Sequence, residues 1–180
     1  MAATPAELLV FWREAGPERW FKSEPAFDGR VRERFLGVHE AAAAGRLRDW
    51  ERTAESALAL VIALDQFPRN MFRGTARAFS TDALARAAAR RAVKNGFDRT
   101  IPMPERNFLY LPFEHSEDLA DQEFGLALFE AAGDPEAVRW SKLHRDVIRR
   151  FGRFPHRNEI LGRASTPEEI AYLEGGGFRA

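Results

Sequence analysis

A chain of 180 residues with 27 basic and 27 acidic side chains has the length of a single domain, and its balanced charge excludes a polyanion such as nucleic acid as the expected partner. With 45% hydrophobic residues, 15 Phe and 4 Trp, it has enough apolar material to bury roughly 70% of its unfolded surface, which excludes general disorder. Zero cysteines exclude disulfides, thiolate metal ligands, iron–sulfur clusters and a cysteine nucleophile, so any chemistry falls to His, carboxylate, Arg or hydroxyl groups.

Taken in chain order, eight helices are predicted: 5–15, 28–44, 49–66, 81–95, 116–132, 135–152, 156–162 and 167–174. Thr4-Pro5-Ala6-Glu7 opens the first with a hydroxyl cap, Pro at the first helical position and Glu at the third. The third is the most apolar: Trp50, Ala54, Ala57, Leu58, Val61 and Leu64 trace one stripe, widened by Leu60 and Ile62. Pro68 is expected to end it. Ser80 is the expected cap of the fourth, with Phe79 and Leu84 spaced as a hydrophobic staple, and Asn95-Gly96 supplies its left-handed exit. Phe108-Leu-Tyr-Leu-Pro-Phe113 is β-like in composition, but it is short, interrupted by Pro112 and without a partner, and is read as an extended loop. Ser116 is the expected cap of the fifth helix. Gly133-Asp134-Pro135-Glu136 closes that helix and opens the next, a tight helical hairpin. Thr166-Pro167-Glu168-Glu169 repeats the opening signal of the first helix.

The fold class is therefore all-α. The longest strictly apolar run, Ala57–Leu64, is eight residues, far short of the ~20 that span a bilayer, so no membrane association is expected. The first residues carry no basic leader, and the cytoplasm is the expected location. Basic charge is carried by 24 Arg and only 3 Lys, a compositional bias under which a single Arg is often a surface choice. Arg86, Arg90 and Arg91 make only a local basic patch on one helix, too little for a nucleic-acid footprint.

A weak internal repeat runs through the chain. Gly45 leads through an apolar helix to Phe67-Pro68-Arg69-Asn70 and then Phe79-Ser80-Thr81; Gly133 leads through a helix to Phe154-Pro155-His156-Arg157-Asn158 and then Ala164-Ser165-Thr166. The two Phe-Pro pairs lie 87 positions apart. Helix pairs of this kind stack in solenoids, and two copies predict a compact, irregular helical array with a degenerate two-fold repeat, halves roughly 28–95 and 116–175, within one domain over 1–180.

Five stretches carry a further signal: Phe11-Trp12, Arg19-Trp20-Phe21, Leu64–Asn70, Phe108–Glu117 and His144–Asn158. With these the chain resembles a family of uncharacterised, mostly bacterial proteins called domain of unknown function 924, assigned to the TPR-like helical class. The resemblance covers the chain almost end to end and implies a TPR-like core. It implies no activity and no catalytic roles.

Candidate site residues follow from the polar motifs. Asp65 lies at the C-terminal end of the apolar helix, where a carboxylate faces like partial charge and needs a cation, expected to be an Arg. Asp65–Asn70 then reads either as a rigid corner or as a wall of a pocket in which Arg69 and Asn70 contact a ligand. Glu114 and His115 read either as a loop anchor or as a general base with its orienting carboxylate. His144 shares a stripe with Trp140, Ile148 and Phe151, which makes it either a satisfied core histidine or a catalytic imidazole. His156, Arg157 and Asn158 stand at the second corner and read either as ordinary corner packing with solvated charges or as an anion site, where the start of the predicted helix 156–162 would aim amides at the anion. If the halves pack about a pseudo-twofold axis, these residues converge on one cleft, with Asp65 and Arg106 as charge partners behind it.

Three functions compete. The first is binding of a small anion, carboxylate or phosphate, or of an acidic peptide end, through Arg69, Asn70, His156, Arg157 and Asn158. The second is a hydrolase or lyase using His115 or His144 with Glu114; no Gly-x-Ser-x-Gly nucleophile motif exists, so water would be activated directly. The third is a helical interaction module with a protein partner or a second copy of the chain. No cofactor is expected, and no metal, since no His-Glu-x-x-His or comparable spacing occurs.

Overall fold

A computed structural model describes residues 3–179, and in these the chain is all-α, with nine α-helices, five short 3-10 turns and no strand. It divides into two units, Met1–Leu109 and Tyr110–Ala180. No helix among the described residues is long and apolar enough to cross a membrane.

The first unit contains α1 (Pro5–Ala15), α2 (Pro17–Trp20), α3 (Pro25–Ala43), α4 (Ala54–Met71) and α5 (Asp82–Lys94). Thr4 and Glu7 form the expected capping box on α1. α4 is the centre: α1, α3 and α5 all pack on it, and its residues from Ala57 to Pro68 are all buried. At about 1.5–3 kcal/mol for each fully buried Leu, Ile, Val or Phe, this one helix supplies a large share of the unit's hydrophobic stabilisation. α5 meets it through Ala85, Ala88, Ala89 and Ala92, whose small side chains allow close approach. Between α1, α3 and α4 lies an aromatic cluster in which the Trp12 ring stands edge-on to Phe67 and Phe108, at 5.7 and 5.4 Å between centroids. Trp20 Nε1 donates to the Trp12 carbonyl at 2.7 Å and fixes α2 against α1.

Three expectations fail here. The predicted helix 49–66 is a 3-10 turn, Arg48–Arg52, followed by α4, which Thr53 caps by accepting from the Ser56 amide. At its other end α4 does not stop at Pro68 but runs on to Met71. A proline inside a helix leaves the carbonyl four residues back without its amide. That carbonyl, on Leu64, accepts instead from the Thr81 hydroxyl at 2.6 Å, and the Phe72 amide donates to the Pro68 carbonyl at 2.9 Å, so the ladder closes around the gap. Thr81, not Ser80, is the residue before α5, and the Ser80 hydroxyl donates to the Arg77 carbonyl. The exit through Gly96 is left-handed as expected, at φ 72°.

The second unit contains α6 (Leu111–Glu114), α7 (Leu119–Ala132), α8 (Pro135–Phe151) and α9 (Pro167–Glu174). The stretch expected as extended loop is helical: a 3-10 turn over Glu105–Leu109 at the end of the first unit, then α6. Pro112 fits there because it lies in the first turn, where no intrahelical donor is needed. α7 and α8 form the predicted hairpin, with Gly133 left-handed at φ 73° and Asp134 accepting from the Glu136 and Ala137 amides. The cap of α7 is Asp118, not Ser116; the Ser116 hydroxyl is held by the Asp121 carboxylate at 2.8 Å. α6 lies so close on α7 that a Cβ on Gly125 would stand 2.9 Å from the Phe113 Cβ. The predicted helix 156–162 is only a 3-10 turn, Pro155–Arg157, continued by turns; Gly162, at φ 65°, closes them, and the Arg163 amide returns to the Asn158 carbonyl at 2.7 Å.

Candidate functional site

In the first unit, the last turns of α4 hold the first polar motif. Asp65 has no exposed surface, and the cation it requires is Arg69, one turn on. Arg69 Nη1 lies 3.3 Å from Asp65 Oδ1 and 3.0 Å from Asp82 Oδ1, while Nη2 donates to Asp82 Oδ2 at 3.2 Å. Burial alone would lower the guanidinium pKa; the Asp65 and Asp82 carboxylates outweigh it and raise the value. Gln66 Nε2 donates to the second oxygen of Asp65 at 2.6 Å. Asn70 Nδ2 donates to Asp28 Oδ1 at 2.7 Å, and Arg73 Nε to Asp28 Oδ2 at 3.0 Å. Arg69 and Asn70 are thus committed to carboxylates of their own unit, which ties α4 to α3 and α5. Arg106 Nε donates to the Ile101 carbonyl at 3.0 Å.

The second unit gathers the other candidates. His144, on α8, is 6% exposed, and Glu114, at the end of α6, is 5% exposed. His144 Nδ1 lies 2.9 Å from the Trp140 carbonyl and 3.3 Å from Glu114 Oε1. A carbonyl only accepts, so Nδ1 carries the proton and Nε2 the lone pair. Burial pushes the His144 pKa down to about 3, helped by the nearby charges of His115, Arg157 and His156, against the Trp140 carbonyl, which raises it. At neutral pH the contact with Glu114 is therefore made by a neutral imidazole and is not an ion pair, while the Nδ1 proton goes to the Trp140 carbonyl.

Arg157 is almost fully buried; its guanidinium carbon lies 4.4 Å above the Phe154 ring and Nη1 donates to the His115 carbonyl at 3.0 Å. The His156 ring stands between Phe154 and Phe178, at 5.5 and 5.8 Å. Burial first, then Arg157 and Arg179, push its pKa down to about 4, while Glu117 and the Phe178 backbone pull the other way. Its Nδ1 is buried with no hydrogen-bond partner. His115, His156 and Arg157 thus share the neighbourhood of His144, which itself touches the buried Glu114 carboxylate.

Asn158 plays a different part. It has no exposed surface, and all its bonds are internal: Nδ2 donates to Ser165 Oγ and Glu169 Oε2, and Oδ1 accepts from Arg163 Nε. Around it run two bidentate pairs, Arg153 with Glu169 and Arg163 with Glu117, and Glu117 also accepts from the Phe154 amide at 2.8 Å. Arg153 above all, with the Thr166 cap, holds the Glu169 carboxyl down at about 2. This frame positions the Phe154–Arg157 turn. Because that turn has three residues, no helix start faces a ligand, and that part of the expectation fails.

Sequence reasoning missed the frame residues Glu117, Arg153 and Arg163, whose pairings span 16 to 46 positions, and it missed Phe178 and two buried groups, Gln122 and Ser141. Gln122 Nε2 bridges the Glu114 and Ser116 carbonyls at 2.6 and 2.7 Å, while its Oε1 and the Ser141 hydroxyl have no partner. No group of three or more His, Asp or Glu able to hold a metal ion occurs among the described residues.

Residues 8–177 match the family described as bacterial protein of unknown function (DUF924), and the chain belongs to that family. Among solved structures it is similar to a protein of unknown function, ATU0120 from Agrobacterium tumefaciens, with 47% identity over 96% of this chain and 97% of that one and a TM-score of 0.93. Comparison with functionally curated proteins gives no match.

Proposed function

We propose that the protein binds a small anion, a carboxylate or a phosphate, at the imidazole–guanidinium cluster of the second unit. The observation that carries this reading is the crowding of His115, His156 and Arg157 around His144, with the buried Glu114 carboxylate in contact with that imidazole. Arg157 supplies the permanent charge and the imidazoles supply donors once protonated. An anion placed among them reverses the electrostatic effect by which His115, Arg157 and His156 lower His144, and by which Arg157 and Arg179 lower His156. Binding then takes up protons, and by linkage the affinity rises as pH falls from 7 to 5.

The test is a titration of the His144 and His156 ring signals by NMR, with and without inorganic phosphate or acetate. Both imidazole pKa values move upward when the anion is bound; pKa values unmoved by either anion at tens of millimolar would reject the reading.

The hydrolase alternative has one observation in its favour, the Glu114–His144 contact that leaves Nε2 unprotonated. An imidazole whose conjugate acid has a pKa of about 3 is a poor general base at neutral pH. Catalysis by His144 would require a bound anion to restore its basicity first.

A further inference from the structure

Beyond α9 the chain runs through Gly175-Gly176-Gly177 and returns Phe178 to the imidazole cluster. The Phe178 ring meets His144 at 4.4 Å between centroids and 63° between planes, His156 at 5.8 Å and Trp140 at 6.4 Å, and packs on the core formed by Val147, Ile148 and Phe154. We propose that Phe178 is an internal plug: its ring fills an aryl subsite beside the anion cluster, and the ligand admitted when the glycine arm withdraws is a carboxylate bearing an aromatic ring. This rests on the anion-binding reading and names its ligand class and its control.

Three features support withdrawal. The arm is tied at few points: the Tyr172 carbonyl accepts from the Gly177 amide at 2.8 Å, the Tyr172 hydroxyl accepts from the Phe178 amide at 2.9 Å, Arg179 Nη2 donates to the Leu173 carbonyl at 3.2 Å, and His156 bonds the Phe178 backbone. Three successive glycines lose more backbone freedom on docking than any other residues would, which weakens the closed state. Along the arm lies a cavity of about 370 Å³ lined by Tyr172, Gly175, Gly176 and Gly177 with Arg150 and Glu168, which leaves space beside the hinge. The chemistry of the competitor follows from what surrounds the plug. Ring edges and faces receive an aryl group, and the basic groups beyond receive its carboxylate.

The experiment uses the full chain as wild type, Phe178→Ala and Gly177→Ala. The second variant opens the arm without touching the ring, because an alanine Cβ at 177 would stand 2.4 Å from the Tyr172 carbonyl oxygen and 2.6 Å from its ring. Modification of His144 and His156 by diethyl pyrocarbonate is followed by mass spectrometry, circular dichroism confirms folding, and phenylacetate and acetate are titrated against the ring signals. The expected result is labelling at least fivefold faster in both variants, and phenylacetate at least tenfold tighter than acetate in Phe178→Ala and tighter there than in wild type. Unaltered labelling in both folded variants overturns the plug. Faster labelling with phenylacetate no tighter than acetate overturns the aryl subsite. Faster labelling with no response to phenylacetate, acetate or inorganic phosphate overturns the parent anion reading instead.

Discussion

At Phe67-Pro68-Arg69-Asn70 the arginine meets two carboxylates inside a helix that continues past the proline, whereas at Phe154-Pro155-His156-Arg157-Asn158 it meets a carbonyl and an aromatic face in a three-residue turn. The same sequence ending therefore does opposite things. In the first unit Asp65 and Asp82 outnumber the guanidinium, and the corner is a structural lock. In the second unit the asparagine is locked by Glu169, Ser165 and Arg163, and the arginine before it lies over the Phe154 ring and donates to the His115 carbonyl. What separates the two corners is the set of groups packed against each, and much of that set is remote in sequence.

The comparison can be broken at several points. The largest expected effect is at Arg69. Arg69→Met leaves the Asp65 carboxylate buried without its cation and should cost about 3–5 kcal/mol in urea unfolding, near the lower end because Arg69 is partly exposed. A loss below about 1 kcal/mol would show that the buried Asp65 does not depend on Arg69.

Next is the acid response of His144. Its folded pKa of about 3 lies below the unfolded value of 6.5, so between these limits the unfolded chain holds a proton that the folded chain does not. Stability contributed by the neutral imidazole is complete above about pH 6.5 and falls as pH drops, by about 3 kcal/mol between pH 7 and 4. His144→Phe should flatten that part of the stability curve measured by chemical denaturation; an unchanged slope would mean that the imidazole is not held neutral.

A smaller effect is expected at Gly125, where the approach of α6 to α7 places Glu114 under α8. Gly125→Ala forces a Cβ against Phe113 and should destabilise by about 1–3 kcal/mol, with the Glu114–His144 contact loosened in the ring spectrum of His144. A neutral substitution would show that α6 is free to move. The smallest is Thr81→Val, about 1–2 kcal/mol, since the Leu64 carbonyl loses its donor while the shape of the side chain is kept. Hydrogen exchange should then quicken in the last turn of α4 and leave α7 and α8 unaffected.

Much of the fold is legible in the sequence because helix ends are local. The capping boxes at Thr4 and Thr166, the Gly133-Asp134 hairpin and the Gly96 exit each involve residues within four positions of one another. Asp65 is given an Arg partner by the sequence reading for a reason that fails, since α4 runs on to Met71; it is its complete burial that requires the cation. The failures are choices that distant groups decide. Ser116 and Asp118 are both good caps two residues apart, and Asp121 takes the serine hydroxyl out of the contest. The loop reading of Phe108–Phe113 treats Pro112 as a breaker, when its place in the first turn makes it compatible with a helix. The candidate site is legible as a set of residue types, but not as a neighbourhood. His144 and Glu114 are 30 positions apart, and nothing near Phe178 in sequence signals that its ring returns to them.

The hydroxyl of Thr81 is the missing rung of α4, supplied from 17 residues downstream. A fragment ending near residue 75 holds every backbone amide that α4 will ever use, yet the Leu64 carbonyl has no donor until the chain reaches Thr81. The final turn of the central helix is thus completed by the start of its neighbour. As the chain leaves the ribosome that turn should stay frayed until α5 docks, and NMR chemical shifts of peptides 53–75 and 53–95 would show it as helicity gained at residues 68–71 only in the longer one.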